Sequence, residues 1–199
     1  MLRSGWHLLR KAAAFLAAAL LHVHVNPASA QAPPLAHYNA VELKRESATS
    51  VQFAFTLNLP QVLRALLAPR LAFPDFLQTC ANLSDAELDK AIAKAGAALS
   101  AQAHFTLSSG AKASLQHWQW PSRQAVRDSL KVSLMLLNMP PSATSHLDPV
   151  PVLARAQAKA PISRAQLQLP PALYPIAVSL PNDKFWLTEQ IPMALVELP

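Results

Sequence analysis

Beyond residue 30 the chain carries four histidines, His37, His104, His117 and His146, and imidazole is the side chain best suited to hold a transition metal or move a proton near neutral pH. A metal needs at least three such groups converging, usually with two of them close in sequence as HxH or HxxxH. Neither spacing occurs after residue 30; the one HxH, His22-Val23-His24, belongs to the N-terminal apolar stretch. His104 and His117 can face each other only across a tight Gly110-Ala111 loop. A loop one residue longer sets Phe105 opposite Leu115, and that register is the expected one because it pairs apolar side chains. His146-Leu147-Asp148 offers two ligands in a Pro-rich loop. No metal site is expected.

The means of covalent catalysis are equally sparse. Only Gly96 and Gly110 lie after residue 30, so neither a GxSxG nucleophile elbow nor a GxxxxGK[ST] or GxGxxG phosphate loop can be built. Asp85 and Asp89 share one helix face, where carboxylates near an N-terminus complement the helix dipole and need no catalytic explanation. Cys80 is the sole cysteine, which rules out an intramolecular disulfide and a CxxC redox pair; a buried, inert thiol is expected. Catalytic residues and cofactors are therefore read as none. What remains is aromatic: Trp118 and Trp120 share one face of a strand and Phe185-Trp186 lies in another, and tryptophan is enriched where proteins grip partners. These four are the candidate partner-binding residues, with packing across a sheet as the competing role.

The elements that must position these groups follow from periodicity. Val41 and Leu43, then Val51, Phe53, Phe55 and Leu57, alternate with polar residues as two strands. Pro60 opens a helical stripe of Val62, Leu63, Leu66 and Leu67, which Pro69 ends, and a further short turn covers Asp75 to Cys80. Ser84-Asp85-Ala86-Glu87 is a capping box, with Leu83 and Leu88 at the staple positions and a stripe of Leu88, Ile92, Ala95 and Leu99 beyond it. Period two returns at Ala103, Phe105 and Leu107, turns at Ser108-Ser109-Gly110, and leaves through Ala113 to Trp120. Residues 130–137 read as another strand, and Pro140-Pro141 to Pro149 as a loop. Further strands carry Val152 to Ala158, Ala165 to Leu169, Ile176 to Leu180, Phe185 to Thr188 and Ile191 to Leu198.

Strands at short intervals with no helix after residue 101 predict a mainly β domain, an antiparallel β-sandwich or barrel-like fold over residues 39–199 with a helical insertion at about 60–99. Twelve of the eighteen prolines fall between Pro121 and Pro199, which suits short strands with Pro-punctuated connections.

The N-terminus sets the compartment. Arg3, Arg10 and Lys11 form a basic n-region, Ala12 to Val25 an apolar h-region, and Ala28-Ser29-Ala30 a small-residue cleavage site, so residues 1–30 are expected to be a signal peptide and 31–38 an extended leader. The alternative is retention as an anchor, which needs about 20 consecutive apolar residues; His22, His24 and Asn26 interrupt the run. No later run is apolar for long enough to span a bilayer. Removal of the signal takes three of the seventeen Lys/Arg and leaves fourteen against eleven Asp/Glu, too small an excess and too scattered for a nucleic-acid surface. The Ala/Leu/Gln/Pro-rich, Lys-poor composition resembles that of proteins from GC-rich Gram-negative bacteria, which implies a periplasmic or secreted location. The expected function is a non-catalytic binding or accessory protein of the cell envelope with a protein or peptide partner. The alternatives are an exported enzyme with dispersed acid–base residues and an assembly subunit that pairs strand edges.

Overall fold

The computed structural model describes residues 39–137 and 150–199. The expected signal peptide, leader and Pro140–Pro149 loop lie outside these residues, as do His37, His146 and Asp148.

β1 (Asn39–Ser47) and β2 (Ser50–Leu57) form a hairpin through Ala48 and Thr49, with Val41 opposite Phe55 and Leu43 opposite Phe53. Their alternation has the expected result: the apolar set is buried and Glu42 and Lys44 are exposed. The helical insertion expected at about 60–99 consists of three helices, α1 (Leu59–Leu67), α2 (Phe73–Ala81) and α3 (Asp85–Gln102). Pro60 and Pro74 sit in the first turns of α1 and α2, where the missing N–H costs no helical bond. α3 starts at the predicted capping box. The Ser84 hydroxyl accepts from the Glu87 N–H (3.4 Å), and the Glu87 carboxylate accepts from the Ser84 N–H (2.8 Å) and hydroxyl (2.6 Å).

The chain then continues through β3 (His104–Leu107), β4 (Lys112–Gln119), α4 (Arg123–Leu136), β5 (Val150–Gln157) and β6 (Arg164–Gln168). A 3₁₀ turn (Pro171–Leu173) leads to β7 (Ile176–Leu180), β8 (Asp183–Leu187) and β9 (Met193–Glu197). The expected strand over 130–137 is corrected: these residues are the second half of α4 and its C-cap, Leu137. Leu130, Val132, Leu134 and Leu136 fit period two, but Val126, Leu130 and Leu134 fit the helical period as well. The helix prevails because Ser122 caps it, accepting from the Ala125 N–H at 3.2 Å, and Val126 and Leu130 bury against the other helices.

The nine strands form one sheet in the order β8-β7-β1-β2-β5-β4-β3-β6-β9. Every neighbouring pair is antiparallel except β1–β7, which is parallel with Val41 level with Val178. A purely antiparallel sheet and a helix-free stretch after residue 101 are thus both corrected. β8 and β9 stand at the two margins of the sheet yet are joined by a short link, so the sheet curls until it is nearly closed and barrel-like. Phe53, Phe55, Phe105, Leu115 and Leu167 fill the inside of the curl. A second cluster, with Leu63, Leu77, Leu88 and Val126 among its members, holds the four helices together. Among the described residues no helix is long and apolar enough to cross a membrane.

Candidate functional site

The hairpin between β3 and β4 has neither loop weighed from the sequence. Residues 108–111 form a four-residue connection, with the Leu107 N–H donating to the Ala111 carbonyl (2.8 Å), so that His104 faces Ser114 and Phe105 faces Ala113. His104 and His117 are therefore not opposite one another. Both are exposed, and among the described residues no three of His, Cys, Asp and Glu come together as a metal site would require. Cys80 is buried in α2 with its thiol free, and that burial pushes the thiol pKa up.

Asp85 and Asp89 face two arginines of α4, Arg123 and Arg127, which lie upstream of the run read as a strand. Arg123 grips Asp89 with two nitrogens (2.8 and 2.5 Å) and reaches Asp85 at 2.9 Å; Arg127 binds Asp85 at 2.8 Å and donates to the Leu83 carbonyl. The acids are four residues apart on α3 and the arginines four apart on α4, so each pair presents one face to the other. The guanidinium of Arg123 holds the Asp89 carboxyl below its ordinary range, and Asp89 in turn raises the Arg123 pKa. The cluster pins the starts of two helices together.

His117 lies in a β-bulge. The β4–β5 register advances by one residue between Gln116, opposite Arg155, and Gln119, opposite Leu153, and His117 takes a φ of 53°. An extra residue reverses the alternation: Ala113 and Leu115 point inward before the bulge, Trp118 and Trp120 after it. The inward aromatics are linked by ring contacts, from Phe105 to Phe53 (5.5 Å), Phe53 to Phe55 (6.2 Å), Phe55 to Trp118 (5.5 Å) and Trp118 to Trp120 (6.5 Å). Trp120 then lies over Gly96 of α3 and touches both hydrophobic clusters. Phe185 pairs with Val178 on the core side of β8, while Trp186, its neighbour, pairs with Ala177 on the other face. The four predicted residues are all half-buried and do not form one patch, since β7, β1, β2 and β5 separate β8 from β4 in the sheet.

A different surface emerges where the two margins of the sheet meet. Between β8 and β9 the Thr188 N–H donates to the Ile191 carbonyl (3.0 Å) and the Ile191 N–H to the Thr188 hydroxyl (3.1 Å), yet among the described residues no ladder joins the two strands. The Tyr174 hydroxyl lies 2.6 Å from the Leu169 carbonyl and 2.7 Å from that of Pro192, tying the β9 end of this link to the loop after β6. Burial raises the pKa of this phenol. At the far end of the two strands lies a cavity of about 800 Å³, whose walls include Arg164, Leu180, Asp183, Leu195, Glu197 and Leu198.

The geometry of β9 follows from its partner. Leu198 donates to the Ser163 carbonyl (2.8 Å) in step with the β6 ladder, so in antiparallel alternation Val196 and Ala194 also bond toward β6. Met193, Leu195 and Glu197 therefore direct their N–H and C=O groups to the open edge. Their side chains are on the outer face, with Met193 42% and Leu195 60% exposed, and Ile191 just before the strand is 52% exposed. Glu197 is ion-paired with Arg164. Pro192 and Pro199 bracket the strand, but β9 itself carries no Lys, Pro or bulge of the kind that blunts an edge. Alternate outward Ile191, Met193 and Leu195 are the signal for this surface in the sequence; their exposure, however, depends on which strand ends the sheet. Comparison with family models, curated proteins and solved structures returned no match to this chain.

Proposed function

We propose that this protein is an exported, non-catalytic accessory protein of the bacterial cell envelope that holds a protein partner at the free edge of β9. The observation that carries the reading is the edge at Met193, Leu195 and Glu197, unpaired among the described residues, where main-chain groups and exposed apolar side chains coincide beside a cavity. We take the sheet as an incompletely closed barrel whose seam is the binding edge. The half-buried rings of Trp118, Trp120 and Phe185 pack against the core, and Trp186 lies on the opposite face of β8 from Phe185, which favours the β9 edge over these four as the contact surface. Export rests on the basic n-region, apolar h-region and Ala28-Ser29-Ala30 of the N-terminus.

The test is recovery of the protein from its native envelope under mild crosslinking, followed by N-terminal sequencing and mass spectrometry. A chain beginning at Gln31 in stoichiometric complex with another envelope component supports both halves of the proposal. A chain that stays cytoplasmic refutes export, and a lone monomer under crosslinking refutes partner holding.

A further inference from the structure

Building on that reading, we infer that the seam between β8 and β9 takes an extended segment of the partner protein, apolar at alternate positions and carrying a lysine or arginine where it passes Asp183. Three features of the seam lead to this occupant. First, the outward N–H and C=O groups of Met193, Leu195 and Glu197 recur at every second residue, which is the spacing an incoming strand bonds and an irregular or helical segment does not. Second, Ile191, Met193 and Leu195 lie along one side of that edge, so the segment matches them with apolar side chains two residues apart. Third, the cavity wall carries two carboxylates, Asp183 and Glu197, against the guanidinium of Arg164. Arg164 is committed to Glu197, while the Asp183 carboxylate accepts only the main-chain N–H of Lys184, at 2.8 Å, among the bonds of the described residues. A cation arriving there meets an uncompensated charge.

The same geometry disfavours a second copy of the chain. The C-terminal half of β9 shares its cavity with Pro181 and Asn182 of the β7–β8 turn, and a folded copy would have to fit its own β9 beside that turn. Two Asp183 carboxylates would also be brought toward one another, with Glu197 of each copy already paired to Arg164. A single extended strand avoids both obstacles. The mode is strand addition at an edge, with the main chain supplying affinity and the alternate side chains and the Asp183 contact supplying selectivity.

The test uses the full-length chain expressed in its native host with a photo-crosslinking amino acid placed singly at Leu195, at Asn182 or, away from the seam, at exposed Ala97 of α3. Adducts from Leu195 and Asn182 are expected to map to one short stretch of one partner, with a basic residue beside the Asn182 crosslink and none captured from Ala97. Asp183→Lys should lower the Leu195 adduct by about ten-fold or more, Asp183→Asn should lower it less, and circular dichroism should show both variants folded. Crosslinks between two copies of this chain, adducts spread over unrelated proteins, or a yield indifferent to Asp183→Lys would overturn the inference. Capture of a stoichiometric partner from Ala97 alone would overturn the seam assignment and leave partner holding in place, whereas no partner from any position would remove both.

Discussion

Gly96→Ala should destabilise this protein, although the same change stabilises most helices. Gly96 is a buried residue within α3, and a methyl group added there meets the Trp120 indole, 2.9 Å from Nε1, 3.5 Å from Cε2 and 3.7 Å from Cζ2. The intrinsic helix preference of Ala over Gly favours the variant by about 1 kcal/mol. Against it stands overpacking, about 1–3 kcal/mol when a rigid neighbour must shift. Trp120 is such a neighbour, since its ring stacks on Trp118 and is wedged between the two hydrophobic clusters. The balance predicts a net loss of about 1 kcal/mol. Replacing the indole should invert the sign: in a Trp120→Leu background, Nε1 is gone and Gly96→Ala should become stabilising by about 1 kcal/mol. Urea unfolding followed by far-ultraviolet circular dichroism measures all four corners of the cycle. A stabilising Gly96→Ala in the parent, or the same sign in both backgrounds, would refute the argument that close approach to Trp120 is what requires glycine here.

Other perturbations test the remaining supports. Ser84→Ala should cost about 1 kcal/mol by leaving the Glu87 N–H without its cap; an unchanged urea midpoint would mean that the capping box contributes nothing to α3. His117→Val should cost about 1–2 kcal/mol, because a β-branched residue tolerates a φ of 53° poorly, and a hydrogen-exchange map should show the loss centred on β4. Asp89 has its pKa lowered from an ordinary 3.8 by Arg123, so its contribution is complete above that value and fades as pH falls through the lower folded-state pKa. Asp89→Asn should flatten the acid limb of the stability profile; an identical limb in both proteins would show that the Arg123 pairing adds no stability. Cys80 should resist a thiol reagent in the native state and react at once in denaturant, since it is buried and its thiol pKa is raised.

Local order in this chain was written in local signals. The alternation of Val41, Leu43, Val51, Phe53, Phe55 and Leu57 determined which faces of the first hairpin are buried, because a strand's side chains change face at every residue. The Ser84–Glu87 box determined where α3 starts, because its hydrogen bonds close within four residues. Residues 130–137 were ambiguous for an equally local reason: a short apolar run fits period two and the helical period alike, and the deciding cap, Ser122, and stripe residue, Val126, lie upstream of the run. The periodicity names no helix over residues 121–129, so the match of Arg123 and Arg127 to Asp85 and Asp89 is not legible in the sequence; it exists only between two helices laid face to face.

Only the tertiary structure decided the rest. The bulge at His117 turns Trp118 and Trp120 inward, and nothing in the residues themselves records that one position is left out of the β4–β5 pairing. The parallel pairing of β1 with β7 joins segments more than a hundred residues apart in sequence, on the edge of β1 that β2 does not occupy. The candidate site depends on the same global choice. Ile191, Met193 and Leu195 are ordinary alternating residues at and just before a strand, and they become an exposed edge because the strand order sets β8 and β9 at opposite margins of the sheet, with no ladder between them among the described residues.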